Sequence, residues 1–289
     1  MSLTNWTILI NSSAKLLRIL SIIYSFQLYR GYLSNLGLYL NSLNRITKNT
    51  MVSYDITLKE NFKLFISGPS RCGKTFFVAD LLQNIETFAR EPPQAVVYIY
   101  SVWQTKFDEM KTLVTYFIED NENIYDTIRE IASNQPTMVV FDDLINSKTI
   151  QTIAKLYTVD GRHMNLSMVF LTQRMFVNDE YFRQVSQNSD YFCVFKNPRN
   201  SSEIRTLAQQ LTPGSLDLVD IYLQATKEPF SYLFINLTQE CNDDHKYISN
   251  LFSHDHSVKV FTSKMKISQI KQKPNLLKEV TFFLFCLKL

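Results

Sequence analysis

The stretch Phe62–Thr75, FKLFISGPSRCGKT, decides how the rest of the chain is read. An apolar run, Phe62, Leu64, Phe65 and Ile66, leads into Gly68-Pro69-Ser70-Arg71-Cys72-Gly73-Lys74-Thr75, and the apolar residues Phe76, Phe77, Ala79, Leu81 and Leu82 come after it. A strand, then G-x-x-x-x-G-K-[ST], then an apolar helix is the context in which this pattern makes a phosphate-binding loop. Gly68 and Gly73 give the backbone the freedom to turn successive N–H groups toward phosphate oxygens, with Pro69, Ser70, Arg71 and Cys72 as the span between them. Lys74 brings a point charge for the β- and γ-phosphates of ATP, and the Thr75 hydroxyl can ligate Mg²⁺. A helix starting near Lys74 adds the positive end of its dipole. Cys72 reads as a small residue that fits the loop, although amides so close to it could also lower its thiol pKa.

Working outward, the chain alternates short apolar runs with longer helical segments, the pattern of an α/β fold with a mainly parallel sheet. Strands are expected at Phe62–Ser67, Ala95–Ser101, Met138–Asp142, Leu166–Thr172 and Tyr191–Lys196, with a last one, Phe230–Leu237, at the sheet edge. Helices are expected near Thr75–Glu86, Asn123–Ser133, Lys148–Tyr157, Glu180–Ser186, Ser201–Gln210 and Leu216–Ala225. The 289 residues are 45% apolar and 20% charged, enough for one large domain with extensions rather than a disordered chain. Residues 1–50 read as an N-terminal extension, 51–262 as the P-loop domain, and 263–289 as a basic and then apolar tail. Lys264, Lys266, Lys271, Lys273 and Lys278 in that tail could track a phosphate backbone.

A net charge of +3 neither demands nor opposes a nucleic-acid partner. Four cysteines without a disulfide framework or a paired zinc spacing favour a reducing compartment. The apolar stretch 16–40 is broken by Arg18 and Arg30 and precedes no cleavage site, so neither secretion nor a membrane span is expected.

Two further stretches would complete a nucleotide site. Thr137-Met138-Val139-Val140-Phe141-Asp142-Asp143 is a buried strand ending in two carboxylates. Asp142 is placed to hold Mg²⁺ together with Thr75, and Asp143 to orient or deprotonate the attacking water. Gly161-Arg162-His163-Met164-Asn165 reads as a polar loop before the buried strand Leu166–Thr172, which ends at Gln173. Gln173 could hydrogen-bond the γ-phosphate or the water. Arg162 is either solvated or reaches a neighbouring subunit's nucleotide.

GPSRCGKT, VVFDD and GRHMNLSMVFLTQR, in this order, resemble the FtsK–HerA superfamily of DNA-pumping ATPases. The closer resemblance is to its viral packaging branch, the poxvirus-type ATPases and their Polinton/Maverick transposon relatives. The stretches Phe195–Asn200 and Ala225–Leu233 look like that branch as well, so the likeness covers about Tyr54–Phe252.

The resemblance implies a RecA-like core with the Gln173 strand between the loop strand and the acidic strand. It implies ATP on Gly68 through Thr75, Mg²⁺ on Thr75 and Asp142, and catalysis by Lys74, Asp143, Gln173 and an Arg162 finger acting in trans. It further implies a homo-oligomeric ring translocating double-stranded DNA into a capsid, in the nucleus or a viral factory. Many superfamily members carry Glu where Asp143 stands, one methylene longer. A P-loop kinase and an ATP-binding switch without turnover are the alternatives. No Arg-rich lid for a kinase is evident.

Overall fold

The computed structural model describes residues 56–144, 148–213, 217–252, 257–262 and 267–271. The N-terminal extension, Lys264, Lys266, Lys273, Lys278 and the apolar end of the chain lie outside the described residues. Strands form where the apolar runs fall: β1 (Lys63–Ser67), β2 (Ala95–Tyr100), β3 (Tyr116–Glu119), β4 (Thr137–Asp142), β5 (Leu166–Thr172), β6 (Tyr191–Phe195) and β7 (Tyr232–Asn236). Three more come later in the chain, β8 (Tyr247–Ser249), β9 (Ser257–Phe261) and β10 (Ile267–Lys271). All ten make one sheet in the order β10-β9-β8-β7-β6-β1-β5-β4-β2-β3. From β6 to β3 neighbours run parallel, and from β6 through β10 they run antiparallel.

The central strands are buried on both faces and therefore read as continuous apolar runs rather than alternating ones. Register sorts them cleanly. Phe65, Val139, Phe141 and Phe170 face one layer; Leu64, Ile66, Val140 and Leu171 face the other. The second face is covered by α1 (Lys74–Gln83), α2 (Ile85–Phe88) and α3 (Thr105–Met110). The first is covered by α4 (Ile124–Ala132), α5 (Thr149–Lys155), α7 (Glu180–Gln187), α8 (Ser202–Leu211) and α9 (Asp217–Ala225). Between α5 and α7 lie a π-helical turn, Leu156–Asp160, and a short helical turn α6 (Gly161–His163). Asn61 and Asn165, at positive φ, turn the chain into β1 and β5, a role asparagine fills at low cost.

The β5 strand does lie between β1 and β4. Other expectations need correction. The strand after Pro229 starts at Tyr232 and is not an edge, because β8 pairs along it. The stretch expected as a polar loop at Gly161–His163 is helical. The boundary at 262 falls inside the antiparallel extension, since β10 pairs with β9 from Ile267 to Lys271. Part of the expected basic tail is thus sheet. Among the described residues no helix is long and apolar enough to cross a membrane.

Candidate nucleotide-binding site

The C-terminal ends of β1, β4 and β5 and the start of α1 meet around one cleft of about 800 Å³. Ligands bind at this end of a parallel sheet because loops there can converge above the strands. The phosphate loop forms its floor. Arg71 (φ 64) and Gly73 (φ 108) both take left-handed backbone, which turns neighbouring N–H groups the same way into an anion-binding nest. Gly68 is fixed by space: a Cβ there would stand 2.6 Å from the Cβ of Phe195 and 2.7 Å from the Cys72 Sγ.

Helix α1 starts on Gly73 with no side chain capping it and no acidic residue in its first turn. Apart from the Lys74 N–H, which meets the Cys72 thiol, N–H groups of its first turn can serve an external anion. The Lys74 ammonium is nearly buried and donates to the Gly68 and Pro69 carbonyls at 2.8 and 3.1 Å. These are neutral acceptors, so phosphate oxygens would win the exchange. The ten-residue helix and the loop together suit a polyphosphate.

Asp142 and Asp143 would point to opposite faces on a regular strand. The positive φ of Asp143 (57°) breaks that alternation, and both carboxylates line the same cleft. Aspartate tolerates this conformation better than most residues. Gln173, at the exit of β5, donates its Nε2 to Asp143 Oδ2 and so fixes the second carboxylate.

Asp142 is buried. Burial pushes its carboxyl above the usual carboxylate range; the hydrogen bond from Tyr98 opposes this, the Asp143 charge adds to it, and Lys74 opposes it. The Tyr98 hydroxyl, itself buried, donates to Asp142 Oδ2 at 2.9 Å. Gln104 Nε2 donates to the same oxygen at 3.3 Å, while Gln104 Oε1 accepts from Thr75 Oγ1 at 3.5 Å. A hydroxyl and a buried carboxylate on one cleft wall are the hard oxygen donors that Mg²⁺ takes, and the nest fits ATP phosphates. The residues fit both groups.

The cleft thus brings together Lys74, Thr75, Asp142, Asp143 and Gln173. It does not include Arg162, which lies exposed in α6 at the opposite end of the sheet, beside the start of β1. Cys72 is buried, and burial raises its thiol pKa: desolvation outweighs the Lys74 charge and the nearby amides, which fits a small residue filling the loop. Tyr98 and Gln104 went unread in the sequence. Their signal was available: they lie near and just past the end of β2, a strand paired with β4, where polar groups meet the acidic strand. Phe230 also reaches the cleft, 70% exposed and at φ 59.

A parallel sheet with the β1-β5-β4 order, a phosphate loop and an acidic strand end define a P-loop ATPase of the RecA-like class. A sequence profile of the poxvirus A32 protein matches residues 49–212, more than half of the chain. The chain belongs to that family, within the FtsK–HerA ATPases.

Among solved structures, the cytoplasmic domain of EssC is similar at 16% identity and a TM-score of 0.39, over 51% of this chain and 33% of that one. EccC (ATPases 2 and 3) from Thermomonospora curvata, in complex with a signal sequence peptide, matches at 11% and 0.40, over 74% and 37%. The Legionella pneumophila ATPase DotB matches at 14% and 0.32, over 48% and 42%. The chain thus spans less than half the length of each of these structures. No curated protein sequence matches it.

Proposed function

We propose that the chain hydrolyses ATP to translocate double-stranded DNA, as a homo-oligomeric ring that loads a genome into a virus-like capsid. Membership of the poxvirus A32 family supports the packaging role. The observation that carries the motor reading is the division of the site: loop, carboxylates and Gln173 share one cleft, while Arg162 sits a strand length away and is free for a neighbour's cleft. The nucleus or a viral factory, where such DNA is held, is the proposed compartment, and a capsid protein the proposed further partner.

In this reading Lys74 and the nest amides hold the β- and γ-phosphates, and Thr75 and Asp142 hold the cation. Mg²⁺, when bound, neutralises charge on the phosphate oxygens. Asp143, fixed by Gln173, orients the water and takes its proton. Arg162 of an adjacent subunit stabilises the charge that develops on transfer.

The test is ATP hydrolysis by the full chain with and without long duplex DNA, beside Lys74→Ala. Duplex should raise turnover severalfold, and Lys74→Ala should abolish nucleotide binding or turnover. Turnover indifferent to DNA would point to a kinase, and binding without turnover to a switch.

A further inference from the structure

Gln104 stands between the two side chains that the proposed site assigns to the cation. Its amide spans them, oxygen toward the Thr75 hydroxyl and nitrogen toward Asp142. At 3.5 and 3.3 Å both contacts are longer than ordinary hydrogen bonds and therefore weak, so both exchange readily. Asp142 does not depend on them, because the shorter bond from buried Tyr98 holds the same oxygen. The bridge is therefore the loose member of the group, laid across a rigid one.

The chemistry of the amide sets how this bridge responds to a cation. A hard divalent cation takes an anionic carboxylate oxygen ahead of a neutral amide oxygen, and it repels an N–H₂ donor. A cation drawn to that carboxylate competes with Gln104 Nε2 for Asp142, and the longer of the two bonds to Oδ2 is the one to yield. The residue is also positioned to transmit the change. It is exposed, its backbone is extended (φ −118, ψ 144), and it joins α3 to β2 through Ser101, Val102 and Trp103, all exposed. Val102 is 72% exposed, and the Trp103 ring leans edge-on against Tyr100, Phe107 and Phe117 with centroids 5.3 to 5.4 Å away. The Lys111 ammonium also lies 5.5 Å from the Trp103 ring, and Asp108 is hydrogen-bonded to Trp103, so a shift of the adjoining residue changes the surroundings of the indole.

We propose that Gln104 is a place-holder for the nucleotide's cation: it bridges Thr75 and Asp142, gives up both bonds to Mg²⁺-bound nucleotide, and carries the exposed Val102–Trp103 segment with it. The segment thereby reports the cation's arrival at the molecular surface. This rests on the ATP reading of the cleft.

The chain has two tryptophans, Trp6 and Trp103, so in a Trp6→Phe background Trp103 is the sole indole. Its emission is followed on the full chain during titration with a non-hydrolysable ATP analogue, with Mg²⁺ and with EDTA, while calorimetry measures analogue binding independently. Mg²⁺ and analogue together should shift the Trp103 emission, and analogue in EDTA should bind weakly without the shift. Gln104→Ala and the shape-keeping Gln104→Met, both at an exposed position, should lower the Mg²⁺ concentration for half-maximal analogue binding by about three- to tenfold, the effect of removing two weak competing bonds. They should also shrink the emission change.

An unchanged Mg²⁺ requirement in both variants overturns the place-holder, as does an emission shift of equal size in EDTA. If calorimetry finds no analogue binding by the parent chain even with Mg²⁺, the ATP reading itself fails.

Discussion

Asp142 is the residue whose physics is most exposed to test. It pays for its burial in a raised pKa, and its neighbours oppose that only in part. Because the folded pKa lies above the ordinary value, the folded chain binds a proton that the unfolded chain has already lost. Its contribution to stability is therefore full below the unfolded pKa and is lost as pH rises through the raised one. Asp142→Asn keeps an acceptor for Tyr98 and removes the buried charge. In the absence of nucleotide it should stabilise the fold at neutral pH by about 1 kcal/mol, roughly 2–4 °C in Tm for a domain of this size. The same variant should lose the Mg²⁺-dependent part of nucleotide stabilisation. Thermal melts at neutral and acidic pH check both halves: a Tm below the parent's at neutral pH would mean that the carboxylate is held ionised by partners stronger than those seen.

At the scale of elements, Gly161 shows how a local constraint fixes a junction. Its φ is ordinary, −59°, so conformational freedom is not what it supplies. It supplies space. A Cβ there would lie 2.6 Å from the Leu156 carbonyl oxygen and 2.5 Å from the end of Met168, where the π-helical turn folds back toward β5. Alanine would gain about 0.5–1 kcal/mol in helical propensity, but the contact with a backbone oxygen cannot be relieved by a rotamer. We expect Gly161→Ala to destabilise by about 1–2 kcal/mol net, read from the urea midpoint at unchanged slope. A gain in stability would show that the turn re-packs and propensity wins.

The elements also differ in how legible they were. The central strands could be read because burial on both faces writes them as apolar runs, and α1 because a glycine-flanked lysine fixes its start. The four-residue edge strand β3 could not. Tyr116 and Glu119 at its ends are exposed and the middle is half-buried, so neither an apolar run nor a clean alternation appears. β8 to β10 are short and come after polar segments, and only their pairing makes them strands. Gln104 was hidden for another reason: its meaning depends on β2 lying beside β4, with Tyr100 opposite Asp142, a register that no spacing in the sequence announces.

For the whole molecule, the question is whether one chain carries a complete site. Strand β5 has seven residues, and at about 3.3 Å each it separates Arg162 from the phosphate-loop end of the sheet by roughly 20 Å. An arginine side chain cannot cover that, so Arg162 can act on a nucleotide only if a second chain presents it. Arg162→Ala should leave monomer nucleotide affinity within about twofold of the parent and lower assembled turnover by about 10³-fold or more. Complementation gives the sharper check. Lys74→Ala keeps Arg162 but loses its own phosphate grip; Arg162→Ala keeps the cleft but loses its donor. Mixed in equal amounts, some Arg162→Ala clefts face a Lys74→Ala neighbour that supplies the arginine, so turnover should rise well above the sum of the separate variants. A mixture no more active than that sum would place the missing charge elsewhere and leave Arg162 a surface residue near Lys63.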